Sequence, residues 1–381
     1  MEIAVSSDAA TLVRCAATCP DVRGRVAAGE GDPAFLGRLR LRLRRADRFV
    51  LPLLRGHFVQ RHSHYGAKPE DKKKDGLYLV DVAAGADATR LRRVTGGDAA
   101  AAAYRPLSSR EGLVLVRMET TSDLVFLGNY VLLVGDGKDG GGAGAVGRPF
   151  QVLKARLEST SHLRHRRYME LQTFSSEHGE WGPHTVIRTP HFHGLHLSGE
   201  PLVAGGAVHR LWGCWVIKLN VRASRLTATA LPESFPWPQH EGQHLLAASP
   251  DGSPMVLAAD GDKISAWEQS KHTAIWKPRP RVVIENDAIL QFNNVAGLIE
   301  RRPYSPPAKP KLEWFAERSG VELISMDYYG YFWLDLQSMK IVRWFLGPRD
   351  QKAYFYRVHF YMGCPLEMDL SSWVPTFSSV L

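Results

Sequence analysis

Hydrophobic and polar positions change their period once along this chain of 381 residues. From Ser7 to Ala28 the apolar residues Leu12, Ala16, Cys19, Val22 and Val26 recur every three or four positions. Ser7 or Asp8 stands where a cap for the free amide groups is needed, so the spacing predicts one helix, kinked at Pro20. Gly29, Gly31 and Asp32-Pro33 punctuate it, and Pro33 suits the first turn of a second helix through Phe35, Leu36 and Leu39. The run RLRLRLRR from Arg38 to Arg45 alternates strictly and fits either a strand or the end of that helix.

From Phe49 onward the pattern becomes short β-rich runs separated by Gly, Asp, Asn or Pro turns. Examples are Leu77–Val82, Gly112–Met118, Leu124–Val134, Phe150–Leu157, Tyr168–Phe174, Pro201–Trp212 and Trp215–Val221. The series continues through Leu226–Leu231, Pro254–Ala259, Lys263–Trp267, Val282–Glu285, Val321–Met326, Tyr331–Leu336 and Ile341–Phe345. Strands at this spacing, with no long helical pattern between them, predict a mainly β body. Three units, Gly199–Pro232, His244–Trp276 and Val321–Trp344, repeat one layout of strand, small-residue turn and aromatic-bearing strand. At roughly 40–50 residues per four-stranded blade, the chain from residue 48 predicts an irregular β-propeller of six or seven blades. Closure into a ring would leave few bare sheet edges. The polar stretch Lys68–Asp75 and the Gly-rich stretch Asp136–Gly147 are expected to be insertions in loops.

Composition narrows the setting. The formal charge of +9 is half local: Arg38 to Arg48 holds six arginines and one aspartate, and the remainder carries 42 basic against 38 acidic residues, a net of +4. General affinity for nucleic acid is therefore not expected. The longest apolar run, Leu124 to Gly135, is interrupted by Asn129 and falls short of the roughly twenty residues that span a bilayer. Four cysteines in a chain of this length make no disulfide framework, which points to the cytosol or nucleus.

The stretches SDAATLVRCAATCPDVRGRV (Ser7 to Val26) and DPAFL (Asp32 to Leu36) resemble the rear half of an F-box. In the body, Phe174–Trp181, Val203–Gly213 and Ser325–Trp344 resemble plant, particularly grass, F-box proteins with a C-terminal F-box-associated domain of β-propeller type. The resemblance implies a helical remnant over residues 1–47 and a recognition domain over 48–381. It implies adaptor-binding residues Leu12, Val13, Ala16, Pro33, Phe35 and Leu36, contacting a Skp-type adaptor of a cullin-RING ubiquitin ligase while the propeller holds a protein substrate. The Leu-Pro helix that opens the family's F-box does not precede Ser7, so the docking module reads as truncated.

Candidate chemistry adds little to this. His191, His193 and His196 have a metal-like spacing, but no acidic or cysteine ligand accompanies them, and Pro190 and Gly194 mark an ordinary loop. Cys15 and Cys19 read as small packing residues, and the glycines of Gly135–Gly147 lack the order of a phosphate-binding loop. The tryptophans at 212, 215, 237, 267, 276, 314, 333 and 344 are expected mostly in packing between blades. No catalytic motif, metal or cofactor is expected. The reading is a non-enzymatic substrate receptor; its alternatives are a scaffold without ligase coupling and a metal-dependent propeller enzyme.

Overall fold

The structure, a computed structural model, describes residues 54–63, 76–81, 90–94, 103–110, 112–119, 129–134, 150–159, 167–189, 197–236, 243–270, 273–292, 309–326, 329–345 and 358–367. Strands come in the order β1 (Leu54–Ser63), β2 (Gly76–Asp81), β3 (Arg90–Arg93), β4 (Ala103–Arg110), β5 (Leu113–Glu119), β6 (Asn129–Val134), β7 (Phe150–Ser159) and β8 (Arg167–Ser175). There follow β9 (Glu180–Trp181), β10 (Thr185–Arg188), β11 (Leu197–Ala204), β12 (Ala207–Trp212), β13 (Trp215–Asn220), β14 (Arg225–Ala230), β15 (His244–Ala248), β16 (Pro254–Asp260), β17 (Lys263–Glu268) and β18 (Arg281–Glu285). A one-turn helix α1 (Asn286–Gln291) precedes β19 (Pro310–Ala316), β20 (Val321–Met326), β21 (Gly330–Asp335), β22 (Lys340–Phe345) and β23 (Val358–Glu367).

These strands form antiparallel sheets of consecutive neighbours: β6-β7-β8-β10 with β9 beside β8, then β11-β12-β13-β14, β15-β16-β17-β18 and β19-β20-β21-β22. The exception to sequence order is the sheet β23-β1-β2-β3, in which the last strand pairs with the first, from Leu54↔Glu367 to Ser63↔Val358. A two-stranded sheet, β4-β5, stands between that sheet and the β6 sheet. The innermost strands follow one another around a centre: β11 packs on β15, β15 on β19, β19 on β23, β23 on β4 and β4 on β6.

Face-to-face packing fills the spaces between sheets. Val131, Leu153 and Met169 meet Val208, Trp212 and Ile217 between the β6 and β11 sheets. Leu245, Met255 and Ile264 share one core with Leu211 on one side and Phe332 and Leu334 on the other. Leu54, Val59 and Val80 meet Leu323, Trp333 and Phe345 where the closing sheet rests on the β19 sheet. Phe58 and Leu77 pack with Val114 and Val116 of the hairpin. Because a blade is covered on both sides, its inner strands carry continuous apolar runs rather than strict alternation; every residue of β15 is buried. Two-residue turns keep the hairpins tight, as at Gly205-Gly206, whose φ values of 57° and 72° fit the twist of β11 and β12 and are unstrained only in glycine.

The architecture is therefore propeller-like, with five blades of four or five strands and a two-stranded hairpin in the remaining position among the described residues. This corrects the expected count of six or seven full blades. Division by blade length overcounts because, among the described residues, the hairpin β4-β5 fills one position with only two strands. Pro201–Trp212 is two strands, not one, folded at the glycine pair. The unit Val321–Trp344 is a blade lacking its innermost strand, β19, which opens on a proline and alternates with Lys311 and Glu313. Residues 1–47, with Leu12, Val13, Ala16, Pro33, Phe35 and Leu36, lie outside the described residues.

Packing this dense buries ionisable groups. His57 on β1 is fully enclosed, and burial lowers its imidazole to about 3, so the ring is neutral; it meets Trp333 edge-on at 5.6 Å between centroids. Glu322 on β20 is enclosed beside Phe315 and Leu334; burial, with the nearby charge of Glu313, raises its carboxyl well above the usual range.

Two outcomes follow for stability. Gly363 on β23 has no room for a side chain, since a Cβ would collide with the Pro106 ring and lie 3.0 Å from the Phe58 carbonyl oxygen. Gly363→Ala should cost about 1–3 kcal/mol, read as a lowered melting temperature. A carboxyl raised in the folded state favours folding while protonated, and that advantage is lost as pH rises from its unfolded value through its folded one. Glu322→Gln should therefore match the native chain near pH 4 and exceed it in melting temperature increasingly as pH rises toward 8.

Candidate functional site at the centre of the ring

The inner strands place their polar residues around one cavity of about 40 Å³. It is lined by Ser108 and Ser109 of β4, Glu200 of β11, Glu317 beyond the end of β19, and Cys364 and Glu367 of β23, over an apolar floor that includes Leu245, Leu246 and Trp314. A space of this size holds a few waters.

Most of these polar groups are engaged with a neighbouring sheet. The Glu317 carboxylate accepts the Val203 N–H at Oε1 (2.9 Å) and the Arg110 guanidinium at Oε2 (2.5 Å), while the same Arg110 nitrogen donates to the Val203 carbonyl at 3.0 Å. One ion pair thus ties the hairpin, the β11 blade and the β19 blade together. Glu367 accepts the backbone N–H groups of Arg318 (3.1 Å) and Ser319 (2.6 Å), which fastens the last strand to the turn between β19 and β20. Ser109 Oγ donates to the Pro365 carbonyl, and Ser108 Oγ accepts the Leu132 N–H at 3.4 Å, linking the hairpin to both neighbours.

The electrostatics suit a structural hub. Burial pushes the Cys364 thiol up to about 12 despite its hydrogen bond with Ser109, so it remains protonated and a poor nucleophile. Burial also raises the Glu367 carboxyl, opposed by the hydrogen bonds from Ser319 and Arg318 and reinforced by the charge of Glu317. Among the described residues no histidine lines this cavity beside the two serines.

The sequence-level candidates lie elsewhere. His191, His193, His196, Cys15 and Cys19 are outside the described residues, and among those described no group of three or more His, Cys, Asp or Glu is placed to hold a metal. Trp212, Trp267, Trp276 and Trp333 are buried between sheets, as expected; Trp215, Trp314 and Trp344 are half-buried; Trp237 is outside the described residues. The hub residues Arg110, Glu317 and Glu367 carry no local motif, because strands far apart in sequence bring them together. Large exposed apolar residues sit toward the perimeter: Val94, Trp181, Val186, Ile275, Val282 and Val342. No helix among the described residues is long and apolar enough to cross a membrane.

A family model described as a domain of unknown function, DUF7595, matches residues 78–379. The chain belongs to this family. No curated protein is significantly similar to it. The match begins within β2 and runs past β23, so it takes in the whole ring except β1, and its description mentions neither an F-box nor an F-box-associated domain.

Removing the Glu367 carboxylate would leave the Arg318 and Ser319 amides buried without their acceptor. Glu367→Ala should cost about 1–3 kcal/mol, with faster proteolytic cleavage near the C-terminal strand than in the native chain.

Proposed function

We propose that this member of the DUF7595 family is a non-enzymatic protein-recognition module. The observation that carries the reading is the division between centre and perimeter. Most polar groups of the central cavity join one sheet to another, whereas the exposed apolar side chains stand on outer strands and turns of the ring. Rigid scaffolds that present exposed apolar residues among charges are suited to macromolecular partners.

The finer reading is a substrate receptor of an SCF-type ubiquitin ligase. It rests on the resemblance of Ser7–Val26 and Asp32–Leu36 to an F-box rear half, with Leu12, Val13, Ala16, Pro33, Phe35 and Leu36 as the adaptor contacts. A fixed ring would hold a bound substrate at constant distance from the adaptor, in the cytosol or nucleus. A scaffold uncoupled from any ligase is the second reading.

Size-exclusion chromatography of the full chain with a purified Skp-type adaptor separates the two. A comigrating complex, abolished by Leu12→Asp with Phe35→Asp, is the expected result for a receptor. Separate elution would leave the scaffold.

A further inference from the structure

Among the described residues, the most exposed large apolar one is on a segment that is firmly held. Ile275, 67% exposed, sits between β17 and β18 on the outer side of its blade. The turn beneath it is closed by hydrogen bonds from the Ser270 N–H to the Ile275 carbonyl and from the Ala274 N–H to the Ser270 carbonyl, at 2.8 and 2.9 Å. The Gln269 side-chain amide donates to the Ala274 carbonyl at 2.8 Å. Ala274 is in the left-handed region at φ 53°, a conformation that costs energy for any residue with a Cβ and persists where its surroundings enforce it.

The next residue, Trp276, is buried, and its indole N–H donates to Thr229 Oγ of β14 at 3.2 Å; Ser234 donates to the Pro278 carbonyl at 2.5 Å. The segment is thus clamped to the preceding blade, and Ile275 stands exposed directly beside its anchored neighbour. Along the exposed stretch from Ile275 to Val282, Lys277, Arg279 and Arg281 alternate with Trp276, Pro278 and Pro280, and no acidic residue intervenes. Glu268 on β17 accepts both Lys277 (2.5 Å) and Arg281 (2.9 Å), leaving the strip with net positive charge; the next carboxylate along the chain is Glu285. Val282 is 45% exposed and starts the apolar part of β18, the outermost strand of its sheet.

We infer that the outer edge of this blade, Ile275 to Glu285, is the docking surface for an extended acidic segment of a protein partner that alternates carboxylates with aliphatic residues. This inference rests on the protein-recognition reading and names where and what the module binds. Carboxylates would meet Arg279 and share Lys277 and Arg281 with Glu268, aliphatic side chains would cover Ile275 and Val282, and the outer edge of β18, which no described strand pairs, would supply backbone hydrogen bonds. That edge favours a peptide over an anionic bilayer, which can answer charge and apolar area but cannot pair with a strand.

The test is selection of random displayed peptides on the full chain. It is followed by fluorescence anisotropy with an alternating Glu-Val peptide of about ten residues, the length of an extended segment that reaches across this strip. The expected result is enrichment of sequences mixing Asp or Glu with Val, Ile or Leu, and affinity for the Glu-Val peptide that falls about tenfold in Ile275→Ser and also falls in Arg279→Glu with Arg281→Glu. Both variants are surface changes, and circular dichroism checks that they fold. Peptides enriched equally on these variants would place recognition elsewhere on the ring, overturning this surface while leaving the recognition reading intact. No enrichment on any form would overturn both. Binding of phosphatidylserine vesicles that is lost in the same variants, with no peptide bound, would reassign the strip to a membrane.

Discussion

The described fold depends on the pairing of its last described strand with its first. β23 lies alongside β1 over ten residues of each, across an intervening chain of about 300 residues, and supplies the innermost strand of a blade whose other three strands come from the opposite end. Joining ends so far apart costs on the order of 5 kcal/mol in chain entropy. The return is that β4 and β19 both find an inner strand to pack against, and the apolar faces of the closing sheet, Leu54, Val59 and Val80 among them, are covered by Trp333 and Phe345.

The central polar groups reinforce that closure. Glu367, on the closing strand, holds the turn after β19, Ser109 bonds to Pro365, and the Arg110–Glu317 pair reaches across to the β11 blade. Side-chain hydrogen bonds here join sheets that, among the described residues, share no backbone ladder. A centre used in this way has its polar groups committed to holding the ring, and the perimeter, where strands are covered on fewer sides, is where apolar residues remain exposed. Form and proposed role agree: the inside fixes geometry and the outside makes contact.

Much of the sheet structure was legible in the chain because hairpins are local. Strands flanking Gly205-Gly206, Asp260–Lys263 and Asp335–Lys340 carry both their apolar runs and their turn residues within a dozen positions; the unit Gly199–Pro232 corresponds to a real blade, and His244–Trp276 holds three strands of one and stops short of β18. Strands whose pairing is distant or whose composition is mixed were not legible. β19 begins with a proline and alternates with charges, β4 contains Tyr104, Arg105 and Pro106 in succession, and β23 acquires its meaning only from β1. The central cavity was invisible for the same reason: its carboxylates come from β11, β23 and the turn after β19 and its serines from β4, and no spacing in sequence records their meeting. Ile275 escaped notice because exposure is a property of the folded turn, set by Ala274 and the anchoring of Trp276.

Ring closure by the C-terminal strand also sets an order of events during synthesis. Of the described strands the first three emerge early, yet β1 gains the partner on one of its edges only when residues 358–367 have left the ribosome. Throughout that interval an apolar strand edge is open to other chains, a hazard for any sheet left unfinished. Maturation of this protein is therefore a race between elongation and association, in which shielding by a chaperone or a slow rate of expression would matter more than the final stability of the ring.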